Sequence, residues 1–129
     1  MSIKEMIQDH PQVGDDYTDE LGEAVKHAMY CAAIANSCVD ACSSHEMDMR
    51  ECIRLCSDTS DICTAVYRVA SRRTSGNVAV IKSLLETAIV ACEASAEHCG
   101  THDNPHCQRC SKMCRECVED FRKALSTMN

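Results

Sequence analysis

Four long segments of this chain carry their apolar and cysteine positions three, four or seven residues apart, the period of one face of an α-helix. In the first, the face runs Ala24, Ala28, Cys31, Ala35, Cys38, Cys42; in the second, Cys52, Cys56, Cys63, Val66, Ala70. The third carries Ile81, Leu85, Ala88, Cys92 and Cys99, and the fourth Cys107, Cys110, Cys114, Cys117, Phe121 and Leu125. These patterns predict helices over about 16–43, 48–71, 78–98 and 105–126, after a short amphipathic piece in residues 1–14 that turns Ile3, Met6 and Ile7 to one side.

The punctuation agrees with that division. Pro11, Gly14, Gly76, Gly100 and Pro105 fall at the breaks, and Gly22 alone sits inside a helical segment. Asp48 with Glu51 has the spacing of a capping box, Asn77 is placed to cap the third helix, Gly100 to follow its end, and Asn104-Pro105 to open the fourth. Short links make sequential helices antiparallel, so the expected fold is all-α: an up-down-up-down four-helix bundle in which residues 1–129 form one domain.

The cysteines change the picture most. On each of the first three helices they occupy an arc of roughly 40° or less, and on the fourth roughly 80°, always on the face that the apolar residues mark as buried. They lie in the C-terminal half of the first and third helices and the N-terminal half of the second and fourth. In an antiparallel bundle that is the same end. One half of the core is therefore expected to be sulfur and the other aliphatic, and Cys31 to Cys42 alone rise about 16 Å, several turns rather than one four-ligand site.

Twelve cysteines in 129 residues is near the density of a secreted disulfide scaffold. The N-terminal segment, however, has no basic stretch followed by an apolar one, and no run of about 20 apolar residues would span a membrane. A soluble, cytoplasmic protein is expected, where thiols stay reduced and dense cysteine means metal or redox chemistry. A net charge of -7, with no basic stripe, argues against nucleic acid.

Inward thiols one turn apart, as at Cys38/Cys42, Cys52/Cys56 and Cys110/Cys114, lie roughly 5–6 Å apart at Cβ and suit two-coordinate Cu(I). Charge separates the metals. Zn²⁺ on four thiolates leaves a net buried charge, whereas one Cu⁺ per thiolate is neutral, and soft sulfur favours Cu(I). Loading must then expel roughly one proton per cysteine. Multiple Cu(I) ions, roughly one per cysteine, are the expected cargo. His45, Met47, Met49, His98, His102 and His106 gather on the two turns at the sulfur end, and His45, Met49, His102 and His106 join the twelve cysteines as candidate ligands. His27 either caps the deep end or flanks it, and Met113 is expected to pack. The rival readings are a thiol-based redox sensor and a zinc or iron–sulfur protein; Cys107-x2-Cys110-x3-Cys114-x2-Cys117 departs from the bacterial cluster run. No phosphate loop, nucleophile elbow or Glu-x-x-His pair supports an enzyme.

The CxxxC pairs at 38/42 and 52/56, the seven-residue gaps 31/38, 56/63 and 92/99 and the cysteine-rich start of the fourth helix together resemble the copper storage proteins, cysteine-rich four-helix bundles that hold Cu(I) inside. The resemblance spans about residues 16–126. It implies copper held by cysteine thiolates with His or Met at the open end and assembly as a homotetramer, and the absence of an export signal matches its cytosolic branch; copper ions, with a copper chaperone or cuproenzyme, are the expected partners, and no membrane is. Apolar Ala24, Ala28, Val66, Leu85 and Phe121 stand where the most cysteine-rich members continue the thiol lining, which implies a smaller capacity.

Overall fold

The computed structural model describes residues 2–128; Met1 and Asn129, the ends of the expected 1–129 domain, lie outside the described residues. A short helix α1 (Ile3–Gln8) and a 3-10 turn (Gly14–Asp16) precede four long helices, α2 (Asp19–Cys42), α3 (Arg50–Ala70), α4 (Val78–Cys99) and α5 (Pro105–Ser126). No strand occurs among the described residues. Both α2 and α4 pack against α3 and α5, so the long helices stand in a ring, an antiparallel up-down-up-down bundle, and α1 lies against α2.

The helix ends only partly use the caps expected of them. Thr18 does cap α2, its hydroxyl accepting from Leu21 N–H at 3.2 Å, and Pro105 opens α5. The Asp48/Glu51 capping box does not form: α3 starts one residue later, with Met49 at the cap, and Asp48 instead accepts from the backbone and side chain of Arg50. Asn77 likewise faces backwards, accepting from Thr74 N–H and donating to Arg72 C=O, so it ties the α3–α4 link rather than capping α4. Gly100 follows α4 with a right-handed φ of -62°. Close approach selects glycine there: a Cβ would lie 2.9 Å from Ala96 O and 3.0 Å from Arg115 Nη2.

Gly22, the glycine inside a helix, has a similar reason. The Lys4 side chain and the Tyr17 hydroxyl both lie 2.7 Å from where its Cβ would be, so the missing side chain lets α1 and its connection lie flat on α2. Lys4 reaches across to Asp19 and Glu23, while Ile7 and Val13 enter the core. Met6 does not join them. It is 70% exposed, because the buried side of α1 passes through Ile7 and leaves Met6 on the outer side.

Away from the cysteines the core is aliphatic, with Leu21, Val25, Val66, Ile81, Leu85 and the lone Phe121 fully buried. The face of α5 ends at Ala124 and Met128; Leu125, expected to continue it, is only partly buried. Small hydroxyl residues bring neighbouring helices close. Ser60 donates to Ala32 C=O across α3 and α2, the buried Ser95 donates to Leu55 C=O and meets Thr59 at 2.6 Å across α4 and α3, and Ser111 donates to Ala96 C=O across α5 and α4. Each hydroxyl satisfies itself on a carbonyl already used in a helix, so Ser95 and Ser111 are buried, and Ser60 half-buried, without an unmade bond.

Because Phe121 is the largest fully buried side chain, Phe121→Ala should lower unfolding stability by about 3–5 kcal/mol, read as a shift of the urea midpoint at unchanged helical CD.

Candidate metal centre

All twelve cysteines are reduced and buried, none more than 2% exposed. Helix phase aims each one inward, and the antiparallel ring brings the four sets to one end of the bundle. There the sulfurs touch mainly across helices. Cys38 and Cys42 of α2 lie 3.9 Å apart; Cys42 is 3.6 Å from Cys52 of α3, which is 3.2 Å from Cys99 of α4. Cys99 is 3.3 Å from Cys56, and Cys56 3.8 Å from Cys110 of α5. A continuous path of sulfur thus crosses all four helices.

A second group lies deeper. Cys31 and Cys114 approach to 3.9 Å, as do Cys63 and Cys92, and the sulfurs of Cys31, Cys63 and Cys92 are all within 4.8 Å of one another. Cys117, at the deep limit, donates to His27 C=O at 3.3 Å. Of the one-turn pairs expected to act together, Cys38/Cys42 is in direct contact. Cys52 and Cys56 are linked through Cys99, while Cys110 and Cys114 turn to Cys56 and Cys31 respectively.

At the open end the donors become mixed. His45 Nε2 and His106 Nε2 are 2.8 Å apart with their rings stacked, and His106 Nδ1 is 3.3 Å from Cys38 Sγ and 3.6 Å from Cys107 Sγ. His106 thus joins Cys38 and Cys107 through one ring nitrogen and His45 through the other, the tautomer setting which nitrogen donates. Cys38, Cys42, His106 and Cys107 offer donor atoms within 4.8 Å, as do Cys52, His102 and Cys107. His102 Nδ1 is buried with no hydrogen-bond partner among the described residues. A buried orphan nitrogen beside two thiols fits a metal ligand. His98 packs edge-on against His102. Met49 is buried at the start of α3 and belongs to none of these donor sets, and Met47 is exposed.

His27 does not cap the deep end with its ring. Nδ1 pairs with Asp120 and Nε2 approaches Glu23, so only its carbonyl meets the thiols. That contact, and the Asn104 amide beside Cys107, carry no signal in residue spacing. Met113 packs between α2 and α5, 8% exposed.

Most of the thiols are held neutral. Burial is the first cause at Cys52 and Cys107, pushing each up to about 12, and it also raises Cys42. In the deep group the hydrogen bonds sort the thiols into donors and acceptors. Cys114 and then Cys117 favour the ionised form of Cys31, pulled down to about 5, and of Cys92, pulled down to about 6. Cys38 is lowered as well, by the thiols of Cys110, Cys56 and Cys99 and then by His106.

Closely spaced thiols without a disulfide, histidines at one opening and no charged side chain among them define a soft-metal container built into a helical bundle. The copper storage protein family matches residues 17–126, and the chain belongs to that family. It is 32% identical over 94 residues to the uncharacterized cysteine-rich protein YhjQ of Bacillus subtilis, which covers 71% of this chain and 83% of the relative. Among solved structures, the copper storage protein Ccsp from Streptomyces lividans loaded with 10 copper equivalents superposes with a TM-score of 0.85 at 27% identity, over 97% of this chain and 98% of that one. A second structure, of copper loading with five coppers in the cytosolic copper storage protein of the same organism, matches with a TM-score of 0.74 at 30% identity, over 84% and 93% of the two chains.

Folded values near 12 against an ordinary 9.0 mean that the neutral forms of Cys52 and Cys107 stabilise the fold fully below pH 9. That contribution is lost as pH rises from 9 towards 12. The metal-free protein should therefore show a falling urea midpoint across this window, and the copper-loaded protein, its thiols already deprotonated, a flatter one.

Proposed function

We propose that this protein stores Cu(I) in the cytoplasm, holding roughly one ion for each of its twelve cysteines. The observation that carries the reading is the unbroken sulfur path from Cys38 to Cys110 through all four helices. Bridging thiolates along such a path hold many monovalent ions with little net charge, whereas a string of Zn²⁺ thiolate sites would accumulate buried negative charge.

In this reading Cys31, Cys38, Cys42, Cys52, Cys56, Cys63, Cys92, Cys99, Cys107, Cys110, Cys114 and Cys117 are the storage ligands. His45, His102 and His106 serve the outermost ions, with Met49 as a thioether beside them. Residues 1–129 act as one bundle unit. The role is buffering, supply or detoxification rather than catalysis, with a copper chaperone or cuproenzyme as the exchange partner and a homotetramer as the assembly. The cytosolic placement is supported by the Streptomyces relative, and no described helix is long and apolar enough to cross a membrane.

Zinc is the competing cargo where four donors converge, and Cys38, Cys42, His106 and Cys107 form one such set. Cys38, Cys52, Cys56 and Cys99 hold four sulfurs within 4.8 Å, the ligand number of a structural zinc site. Titration of the reduced, metal-free chain with Cu(I) beside a competing chelator separates the two. Storage predicts saturation near one ion per cysteine, with about one proton released per ion into a weak buffer. Saturation at one or two ions would sink it.

Cys38→Ala combined with Cys42→Ala should lower the capacity by about two ions and leave the helical CD signal intact, because no disulfide ties either thiol to another helix and the aliphatic half of the core is untouched. Loss of the helical signal would instead make these cysteines structural.

A further inference from the structure

From its histidine-bearing end the sulfur core also comes close to the side of the bundle, although Cys38 there is only 2% exposed. A groove of about 370 Å³ runs along the seam between α2 and α5, and Cys38 and His106 are part of its lining. Cys38 is the one cysteine that lines it. Ile34 and Met113 wall the groove, giving it an apolar lining against which a small molecule can lie. Arg109 and Lys112 rise from its rim, both exposed, and neither forms an ion pair among the described residues. Glu116 lies beyond them, one turn after Lys112. Two unpaired cations beside a metal-binding thiol stand out on a chain of net charge -7. They would repel a bare copper ion. They suit an anion that carries one.

We propose that this groove seats the Cu(I) complex of a small amino-acid-derived thiol and hands its copper to Cys38 from the side of the bundle. The inference rests on the storage reading. Carboxylates of the carrier meet Arg109 and Lys112, its ammonium meets Glu116, and its Cu–S bond lies over Cys38. The transfer is a ligand exchange with no change of oxidation state. Cys38 Sγ binds copper as one carrier sulfur leaves, and the proton shared between Cys38 Sγ and His106 Nδ1, 3.3 Å apart, goes to that departing thiolate. A second exchange of the same kind at Cys42, 3.9 Å away, releases the other carrier thiol. The volume falls in the range of small-molecule sites, and the paired cations steer an anionic donor to it.

The test follows copper uptake by the reduced full-length chain under stopped flow, with two donors: the Cu(I)–glutathione complex, which is anionic, and the Cu(I)–acetonitrile complex, which is cationic. Arg109→Glu with Lys112→Glu should slow uptake from glutathione about tenfold or more, with a weaker salt dependence, and leave the final capacity unchanged. Uptake from acetonitrile should not slow. Arg109→Lys with Lys112→Arg should keep the wild-type rate, and Arg72→Glu with Lys123→Glu, the same charge change at the aliphatic end, should have a much smaller effect. Equal slowing with both donors, no slowing with glutathione, or an equal effect from the distant pair would each overturn the groove. A wild-type chain that takes up no copper from acetonitrile would overturn the storage reading instead, and the groove with it.

Discussion

Everything in this bundle turns on keeping charge out of its core. A thiolate buried alone is costly, and twelve together would be prohibitive. Without metal, the constraint is met by keeping most thiols protonated and letting them hydrogen-bond to one another, as along Cys42, Cys52 and Cys99, or to a carbonyl, as at Cys117. A monovalent soft cation meets it a second way, by replacing each proton one for one. The same packing therefore serves both states, because S–H and S–Cu⁺ are equally neutral.

That exchange needs sulfurs within bridging distance, which large side chains between the helices would prevent. Alanine and the small hydroxyl residues do the spacing. Ser60, Thr59, Ser95 and Ser111 bond across the α2–α3, α3–α4 and α4–α5 seams and return their hydroxyls to helix carbonyls. The near absence of aromatic residues belongs to the same design: the single Phe121 is spent in the aliphatic half, where bulk is wanted.

The helical faces, their convergence on one end and the split between sulfur and aliphatic halves were all legible in residue spacing, because a 3.6 period fixes azimuth and antiparallel order fixes height. Which sulfur meets which was not. Helix phase says that Cys56 points inward, but its nearest neighbours, Cys99 and Cys110, depend on how far each helix slides and rotates. The same limit explains His27, whose spacing from Cys31 suggested a ligand while Asp120 on a different helix holds its ring. Caps failed for a local reason. Asp48 and Asn77 each had a second backbone partner in their own turn, and the turn won.

The aliphatic half has a consequence for how the cargo is given back. Leu21, Val25, Val66, Ile81, Leu85 and Phe121 hold the helices together without a metal, and no disulfide joins any of the cysteines. In a zinc finger, metal loss and unfolding are one event, so release carries the whole cost of disassembly. Here the vessel outlives its contents. Removing copper would leave that aliphatic packing in place, so release need not carry the cost of unfolding.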